Sequence, residues 1–274
     1  MKIHILVDDK VRRQGFVAEH GLSILIEVNN LKILFDLGAT DIFLKNAHQK
    51  KLDLHNLDYV IISHGHYDHC DGLANLQPAP QTKILIQEAG LNEKYAKDKE
   101  TGISRKIGLT NKKIICHNLK SNLVKINGDY KITDNIMLIN NIPMSNDFEK
   151  IAEMFFCSKN KEMKNDFFID EQILVINSEK GLVVFSGCSH LGIINGLDSV
   201  KKHYPNVPIH ALFAGMHLEK ASESLINKTI EGLEKFDISF IYPLHCTGLM
   251  ATAKLKMHFQ ERCLLVSTSD TIEI

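Results

Sequence analysis

IISHGHYDHCDG, residues 61–72, is an apolar run that ends abruptly in three histidines and a carboxylate. Residues 59–62 predict a buried strand of a parallel sheet, and the glycine-containing segment that follows predicts a loop that opens a helix near Leu73. The carboxyl ends of such strands are where α/β proteins collect their ligand sites. The polar side chains of this stretch are therefore expected to form a binding site.

These side chains have the chemistry and the spacing of metal ligands. His64 and His66 are two residues apart in an extended segment, so both imidazoles point the same way and can bind one metal ion. Asp68 and His69 follow where the chain turns, and we expect them to face a second metal ion. Imidazole and carboxylate groups suit zinc, iron or manganese. A solvated, histidine-rich loop is the alternative, which four ligand-type residues in six positions disfavour.

Two later histidines are the best candidates to complete such a site, because about six protein ligands are needed for two metal ions. His190 and His245 each follow an apolar strand and precede a helix, as His64 does. His217 lies in the same kind of loop but would be a seventh ligand. We therefore favour a substrate-binding or acid–base role for His217, with a structural role as the alternative.

Composition favours an ordinary globular protein of one domain, residues 1–274, with 44% hydrophobic and 24% charged residues. A net charge of −1 gives no electrostatic reason to expect a nucleic-acid partner. No run approaches the ~18 apolar residues of a membrane span, and the first nine residues are too short and too soon acidic for a signal peptide. We expect a cytoplasmic protein that acts on a small molecule, and the sequence leaves its oligomeric state open. Six cysteines without CxxC spacing suit reduced thiols.

Along the chain, a strand, a glycine- or proline-marked loop carrying histidine, and a helix recur four times. Turns at 29–30 and 178–181 predict two β-hairpins. Residues 97–165 are more polar, and either an active-site lid or insertion or a plain surface excursion would explain them. The remaining predicted strands are 2–7, 83–87, 122–126, 136–140, 208–214, 239–242, 263–267 and 271–274, and the predicted helices are 41–50, 88–96, 193–203, 222–236 and 249–261.

The spacing His-x-His-x-Asp-His at 64–69 resembles the signature of the metallo-β-lactamase fold superfamily. Further segments resemble one branch of it, the metal-dependent hydrolases that include the 7,8-dihydropterin-6-methyl-4-(β-D-ribofuranosyl)-aminobenzene-5′-phosphate synthases. The resemblance runs from about residue 3 to the C-terminus and implies a four-layer αβ/βα sandwich. The segments that carry it are EHGLS at 19–23, FDLG at 35–38, GCSHLGI at 187–193, AGMHL at 214–218 and HCTG at 245–248.

The resemblance also bears on residues whose roles stay open. Members of the superfamily usually place a bridging carboxylate where Cys188 stands here. Either Cys188 replaces it as a thiolate, or Cys188 is a small buried residue and His190 takes over the coordination, which we favour. Asp170 and Glu171 lie where members often keep a ligand histidine, so either is a candidate to support a ligand, Asp170 ahead of Glu171. The alternative is that both are simply exposed loop acids.

Three residues nearer the N-terminus are further candidates. In this branch Glu19 and His20 would lie near the mouth of the site, as substrate contacts or as local caps with equal weight. Asp36 ends a predicted strand, where a turn role is favoured over support of a ligand histidine.

These expectations lead to a metal-dependent hydrolase or transferase with two divalent ions, zinc ahead of manganese or iron. Asp68 would bind metal and hold the proton of the nucleophile, and His217 would protonate the leaving group. The resemblance suggests a pterin or a phosphate-containing small molecule as substrate. The alternatives are an iron-dependent oxidoreductase on the same ligands, or a ligand-binding regulatory protein with slow hydrolysis.

Overall fold

The computed structural model describes residues 1–98, 100–159 and 162–274. The chain divides into two compact units. The first unit comprises residues 1–126, 153–166 and 267–274, and the second comprises 127–152 and 167–266. Both combine β-sheet with helices, so the predicted α/β class is confirmed.

The described part of the first unit has a seven-stranded sheet. Asn29 and Asn30 turn its first hairpin with φ of 49° and 63°, as the sequence predicts, because asparagine tolerates this region of backbone space. Residues 31–35, 59–61, 83–87 and 123–126 pair in parallel. In spatial order the strands are Thr271–Glu273, Lys2–Val7, Ser23–Val28, Leu31–Phe35, Tyr59–Ile61, Lys83–Gln87 and Leu123–Ile126.

Helix Ile42–Gln49 closes the apolar side of this sheet, where Phe43 and Ala47 are buried in the core. Buried Asn46 anchors the helix because its amide donates to the carbonyl oxygens of Leu6 at 2.7 Å and Val17 at 2.8 Å. A further helix, Lys112–Asn118, was not predicted from the sequence.

The first unit also contains a smaller sheet, which overturns one prediction. The helix expected at 88–96 is a short 3₁₀ turn, Glu88–Leu91, followed by a strand, Glu93–Lys97. Pairing with neighbouring strands overrides the local pattern, and Lys94 is buried with its ammonium 2.7 Å from Asp166. The strands of this sheet are, in order, Glu162–Asn165, Phe155–Lys159, Glu93–Lys97 and Ser104–Lys106.

The helix predicted near Leu73 begins earlier than expected. The chain turns at once into helix Tyr67–Cys70, since the amides of His69 and Cys70 both donate to the carbonyl oxygen of His66 at 3.1 Å. A 3₁₀ turn, Asp71–Asn75, follows. Asp68 and His69 are therefore helical residues rather than loop residues.

The described part of the second unit has a six-stranded sheet. It contains the hairpin predicted around the turn at 178–181, and three of the predicted helices also lie in this unit. The parallel strands Gly181–Ser186, Ile209–Gly215 and Ile238–Leu244 end at the same edge. In spatial order the strands are Ile238–Leu244, Ile209–Gly215, Gly181–Ser186, Ile173–Ser178, Ile136–Ile139 and Tyr130–Thr133. The helices are Ile193–His203, Glu223–Glu234 and Leu249–Phe259.

Helix Ile193–His203 begins at a glycine, so its first amides need another acceptor. The buried carboxylate of Glu149 accepts from the amides of Ile194 and Asn195, both at 2.9 Å. Burial raises the pKa of Glu149 above its ordinary value, although these hydrogen bonds oppose the rise.

Two further predictions need correction or refinement. Residues 263–267 are not a strand, and only a single bridge from Cys263 to Ile241 is formed there. Residues 97–165 contribute strands to all three sheets instead of forming one separate excursion. Within the described ranges, none of the helices has the length and apolar character that a membrane crossing requires.

Candidate metal centre

Four ligand-type side chains form what we call the histidine cluster in the first unit: His64, His66, Asp68 and His69. All are buried, directly after strand Tyr59–Ile61. The ring centroid of His64 lies 4.6 Å from that of His66 and 4.3 Å from that of His69. Asp68 Oδ2 is 3.8 Å from His69 Nε2. The sequence-predicted ligands of residues 64–69 are thus brought together.

Asp36 orients the histidine cluster through its contacts with His69 and Ser63. Its fully buried carboxylate lies 2.7 Å from His69 Nδ1 and accepts from the backbone amide and hydroxyl of Ser63, each at 2.7 Å. Because a carboxylate only accepts, Nδ1 of His69 carries the proton and Nε2 is left with its lone pair for a metal. Asp36 also has φ of 57°, so it occupies the turn favoured from the sequence while its carboxylate contacts the His69 ring.

Gly65 lets the loop between the two first histidines pack closely. A Cβ at this position would collide with the backbone carbonyl of Gly90. The turn therefore requires glycine for space rather than for an unusual φ.

The two N-terminal candidates have different roles. Glu19 accepts from the amides of Ala39 and Thr40 at 3.1 and 3.2 Å. These contacts match the local cap, which the sequence weighed equally with a substrate contact. His20 lies with Nδ1 3.0 Å from Asp9 Oδ2 and Nε2 3.3 Å from Asp68 Oδ2. His20 is half exposed and thus joins the histidine cluster to the surface.

The second unit holds a different group, which we call the thiol cluster: Cys188, His190, His217, His245 and Cys246. Its members lie on the three loops that follow the parallel strands. Ligand atoms of Cys188, His190 and His217 all lie within 4.8 Å of one another, and so do those of Cys188, His245 and Cys246. The sequence singled out the three histidines and Cys188 as candidates, and the structure adds Cys246 to them.

The loops of the thiol cluster have unusual backbone geometry. Ser189, His217 and His245 have φ of 55°, 49° and 46°, a region that residues other than glycine rarely occupy. The Ser189 hydroxyl stabilises this arrangement by donating to the carbonyl of Gly215 at 2.7 Å. A Cβ on Gly215 would collide with the carbonyl of Gly187, so these loops pack without spare room.

Glu171, which the sequence ranked behind Asp170, supports the loop of His190. Its buried carboxylate accepts from the amides of His190 at 2.7 Å and Leu191 at 2.8 Å. Burial raises the pKa of Glu171 to about 7, and the neighbouring Asp170 adds to the rise. Asp170 is also buried. Phe168 stacks on the His190 ring with centroids 4.1 Å apart and so holds its orientation.

His217 and Cys246 affect each other's protonation. The His217 amide donates to Cys246 Sγ at 3.3 Å. Partial burial lowers the pKa of the His217 imidazole, but Cys246 and Glu171 outweigh burial and raise it. Burial raises the pKa of the Cys246 thiol, but the neighbouring Cys188, His245 and His217 outweigh it and lower the pKa well below its usual value.

The donor sets of the two clusters fit divalent metal ions. Imidazole nitrogens and a carboxylate are ligands for zinc, manganese or iron, and thiols favour softer ions such as zinc. The six cysteines all lie within the described residues and are thiols rather than disulfides, so sulfur is available as a ligand. Each cluster thus carries the chemistry of a metal site.

Comparison with known proteins identifies the family. Residues 17–135 match the Metallo-beta-lactamase superfamily. The chain is 34% identical over 255 residues to an uncharacterized protein of Methanocaldococcus jannaschii, covering 92% of this chain and 93% of that one. It is 30% identical over 279 residues to the 7,8-dihydropterin-6-methyl-4-(beta-D-ribofuranosyl)-aminobenzene-5'-phosphate synthase of the same organism, covering 95% and 92%.

A solved structure agrees with these relatives. The crystal structure of Tm1679, a metal-dependent hydrolase of the beta-lactamase superfamily, matches with a TM-score of 0.86 and 31% identity, over 100% of this chain and 99% of that one. The chain therefore belongs to the metallo-β-lactamase superfamily, and the predicted family and fold are confirmed.

Proposed function

We propose that this protein is a metal-dependent hydrolase or transferase that binds two divalent cations, with zinc preferred over manganese and iron. The proposed ligands are those predicted from the sequence: His64, His66, Asp68, His69, His190 and His245. The site would act on a small molecule.

One observation carries this proposal. The histidine cluster is buried, its rings are 4.3 to 4.6 Å apart, and a fully buried carboxylate orients His69 at 2.7 Å. Burying so many polar groups is costly unless they have a partner that repays the desolvation. A bound cation is such a partner, and supported imidazoles bind one more tightly.

Bound divalent cations would supply Lewis acidity, which lowers the pKa of water and polarises an oxygen atom of the substrate. Asp68 would accept the proton of the nucleophile, and His20, 3.3 Å away, would hold that carboxylate in position. His217 would donate a proton to the leaving group, a role that suits its partly exposed side chain beside the His190 ring, 4.4 Å away between centroids. Glu171 would keep the His190 loop in place through its two amide contacts.

The substrate class is proposed from the relatives. The 30% identical relative named as a dihydropterin-ribofuranosylaminobenzene-phosphate synthase supports a pterin or a phosphate-containing small molecule. The 31% identical Tm1679, described as a metal-dependent hydrolase, supports a hydrolytic step. A cytoplasmic location and the absence of nucleic-acid and membrane partners remain predictions from the sequence.

The test is turnover of a substrate panel by metal-depleted protein reloaded anaerobically with zinc, manganese or iron. The panel comprises phosphoesters, lactones and reduced pterins, and His66→Ala is the inactive control. We expect turnover of at least one substrate that needs added metal and is lost in His66→Ala. Full turnover by His66→Ala, or turnover that continues after a chelator has removed the metal, would overturn the proposal. Activity that requires iron and oxygen would move the protein to oxidoreductase chemistry.

A further inference from the structure

The smaller sheet of the first unit packs against one member of the histidine cluster. The ring centroid of Phe155 lies 5.6 Å from that of His66, and the two ring planes are tilted by 42°. This spacing is within the range at which aromatic rings attract each other. Phe155 is buried, so the surrounding side chains restrict the movement of its ring. The His66 imidazole therefore packs beside an aromatic ring that is itself held in place.

The backbone at His66 contacts the same part of the unit. The Tyr67 amide donates to the carbonyl oxygen of Ile107 at 2.8 Å, and His66 forms an antiparallel bridge with Gly108. The amides of Ile107 and Gly108 donate in turn to the carbonyl oxygen of Lys94, at 2.9 and 3.2 Å. Backbone contacts of this kind fix the position of the His66 Cα, whereas the direction of its ring depends on side-chain packing.

The side chain of Lys94 connects these contacts to Phe155. Its ammonium lies 2.7 Å from the carboxylate of Asp166, and both side chains are almost fully buried, with 1% and 4% of their surfaces exposed. The Asp166 amide donates to the carbonyl oxygen of Phe155 at 2.9 Å. The ion pair therefore joins the strand that carries Lys94 to the residue that packs beside His66.

Polar groups contact two other histidines of the cluster. Asp36 lies 2.7 Å from His69 Nδ1, and the Ser63 hydroxyl lies 3.0 Å from His64 Nδ1. Packing against an aromatic ring can restrict the imidazole of His66 in a comparable way, because only some rotamers fit beside the ring.

We propose that Phe155 is a positioning residue for the metal ligand His66, and that the buried Lys94–Asp166 ion pair holds Phe155 beside it. This inference rests on the proposed function, in which His66 binds metal. A buried ion pair adds little net stability compared with apolar side chains of similar volume. We therefore assign the contribution of this pair to the geometry around His66.

The test is the affinity of the full-length protein for the zinc ion that His66→Ala fails to bind, measured by competition with a chelator of known affinity. Phe155→Leu keeps an apolar side chain but removes the ring, so we expect the affinity to fall about tenfold. Phe155→Tyr keeps the ring and should bind zinc like the wild type. Wild-type affinity in Phe155→Leu would overturn the inference.

A double-mutant cycle tests whether the ion pair acts through this ring. Lys94→Met should lower zinc affinity about tenfold in the wild type but by less than about twofold in Phe155→Leu. Losses that multiply independently would contradict the role of the ion pair. If Lys94→Met does not fold, Lys94→Met/Asp166→Leu replaces it in the cycle, because removing both charges leaves neither one buried without its partner.

Asn122→Ala is the matched control for a loss of stability alone. Asn122 is buried in the same unit, and its amide donates to the carbonyl oxygens of Ala79 and Thr82, both at 2.9 Å. We expect this variant to unfold at lower urea concentration without any change in zinc affinity. A tenfold loss of affinity here as well would attribute the effect of Phe155→Leu to general destabilisation and overturn the inference.

The outcomes also separate this inference from the proposal on which it rests. Zinc binding by the wild type that is lost in His66→Ala but unchanged in Phe155→Leu would overturn the role of Phe155 and leave the metal-dependent function standing. A wild type that binds no zinc, manganese or iron would defeat the proposed function and this inference together.

Discussion

The histidine cluster and the thiol cluster both bring together side chains of the kind that bind metal, but the chain builds them in opposite ways. The histidine cluster is local: its four side chains come from six consecutive residues on one strand end and one helical turn. The thiol cluster gathers its members from three loops spread over residues 188–246, and three non-glycine residues there have positive φ. A site built locally depends on sequence spacing, whereas a distributed site depends on the sheet that brings the loops together.

The largest expected effect on stability comes from substituting one tightly packed glycine at each cluster, Gly65 at the histidine cluster and Gly215 at the thiol cluster. Gly65→Ala and Gly215→Ala would each drive a methyl group into a backbone carbonyl. We expect each to lower the free energy of unfolding by about 2–3 kcal/mol, because rigid backbone cannot yield cheaply. Urea unfolding with a common m-value measures the change.

Gly102→Ala is the matched control. A Cβ there meets nothing within 4 Å, and only its φ of 70° is unfavourable. It should cost about 1 kcal/mol. Equal losses for all three variants would mean that the packing of the clusters is not special.

A smaller effect should distinguish how the clusters are supported. Asp36→Asn replaces the carboxylate that fixes the tautomer of His69, so metal affinity should fall about 10–100-fold. Glu171→Gln acts on backbone amides next to His190, not on a ring nitrogen, and should weaken metal binding less. Competition with a fluorescent chelator measures both, and a greater loss in Glu171→Gln would reverse this ordering.

The smallest effect concerns a buried acid outside either cluster. Because burial raises the pKa of Glu149, the folded protein holds this proton more tightly than the unfolded chain does. The stabilising effect of the bound proton is complete below the ordinary value of 4.5 and is lost as the pH rises through the raised pKa. The unfolding free energy of wild type minus that of Glu149→Gln should therefore decrease from acid to neutral pH.

Subtracting the two unfolding free energies removes the contributions of the groups that titrate in the same way in both proteins. Urea titrations of the two proteins across that range are the measurement. A difference that stays flat or increases with pH would show that burial does not dominate the ionisation of Glu149.

The contrast between the clusters also explains what the sequence could predict. The strand 59–61, the hairpin at Asn29 and Asn30 and the close grouping of the side chains of residues 64–69 follow from short-range patterns, and the structure agrees with them. The strand at 93–97 was predicted as helix because its pairing partner, 155–159, is distant in sequence. No local pattern could have shown this.

The same limit applies to the residues that support the sites. Glu149 and Glu171 reach amides 45 and 19 positions away, so their roles depend on folded contacts. The signal for Glu171 was the resemblance, which placed an acidic residue just before strand Ile173–Ser178 where members often keep a ligand histidine. Asp36 was considered for such a role from its position at a strand end, although a turn role was favoured for it.

The measurement that tests the central claim most directly is the metal content of the purified protein by elemental mass spectrometry. Wild type is compared with His66→Ala from the histidine cluster and His190→Ala from the thiol cluster. If both clusters bind metal, the wild type should carry about two equivalents of zinc or manganese per chain, and each variant should lose metal. Wild type without bound metal, or a full complement in both variants, would contradict the account.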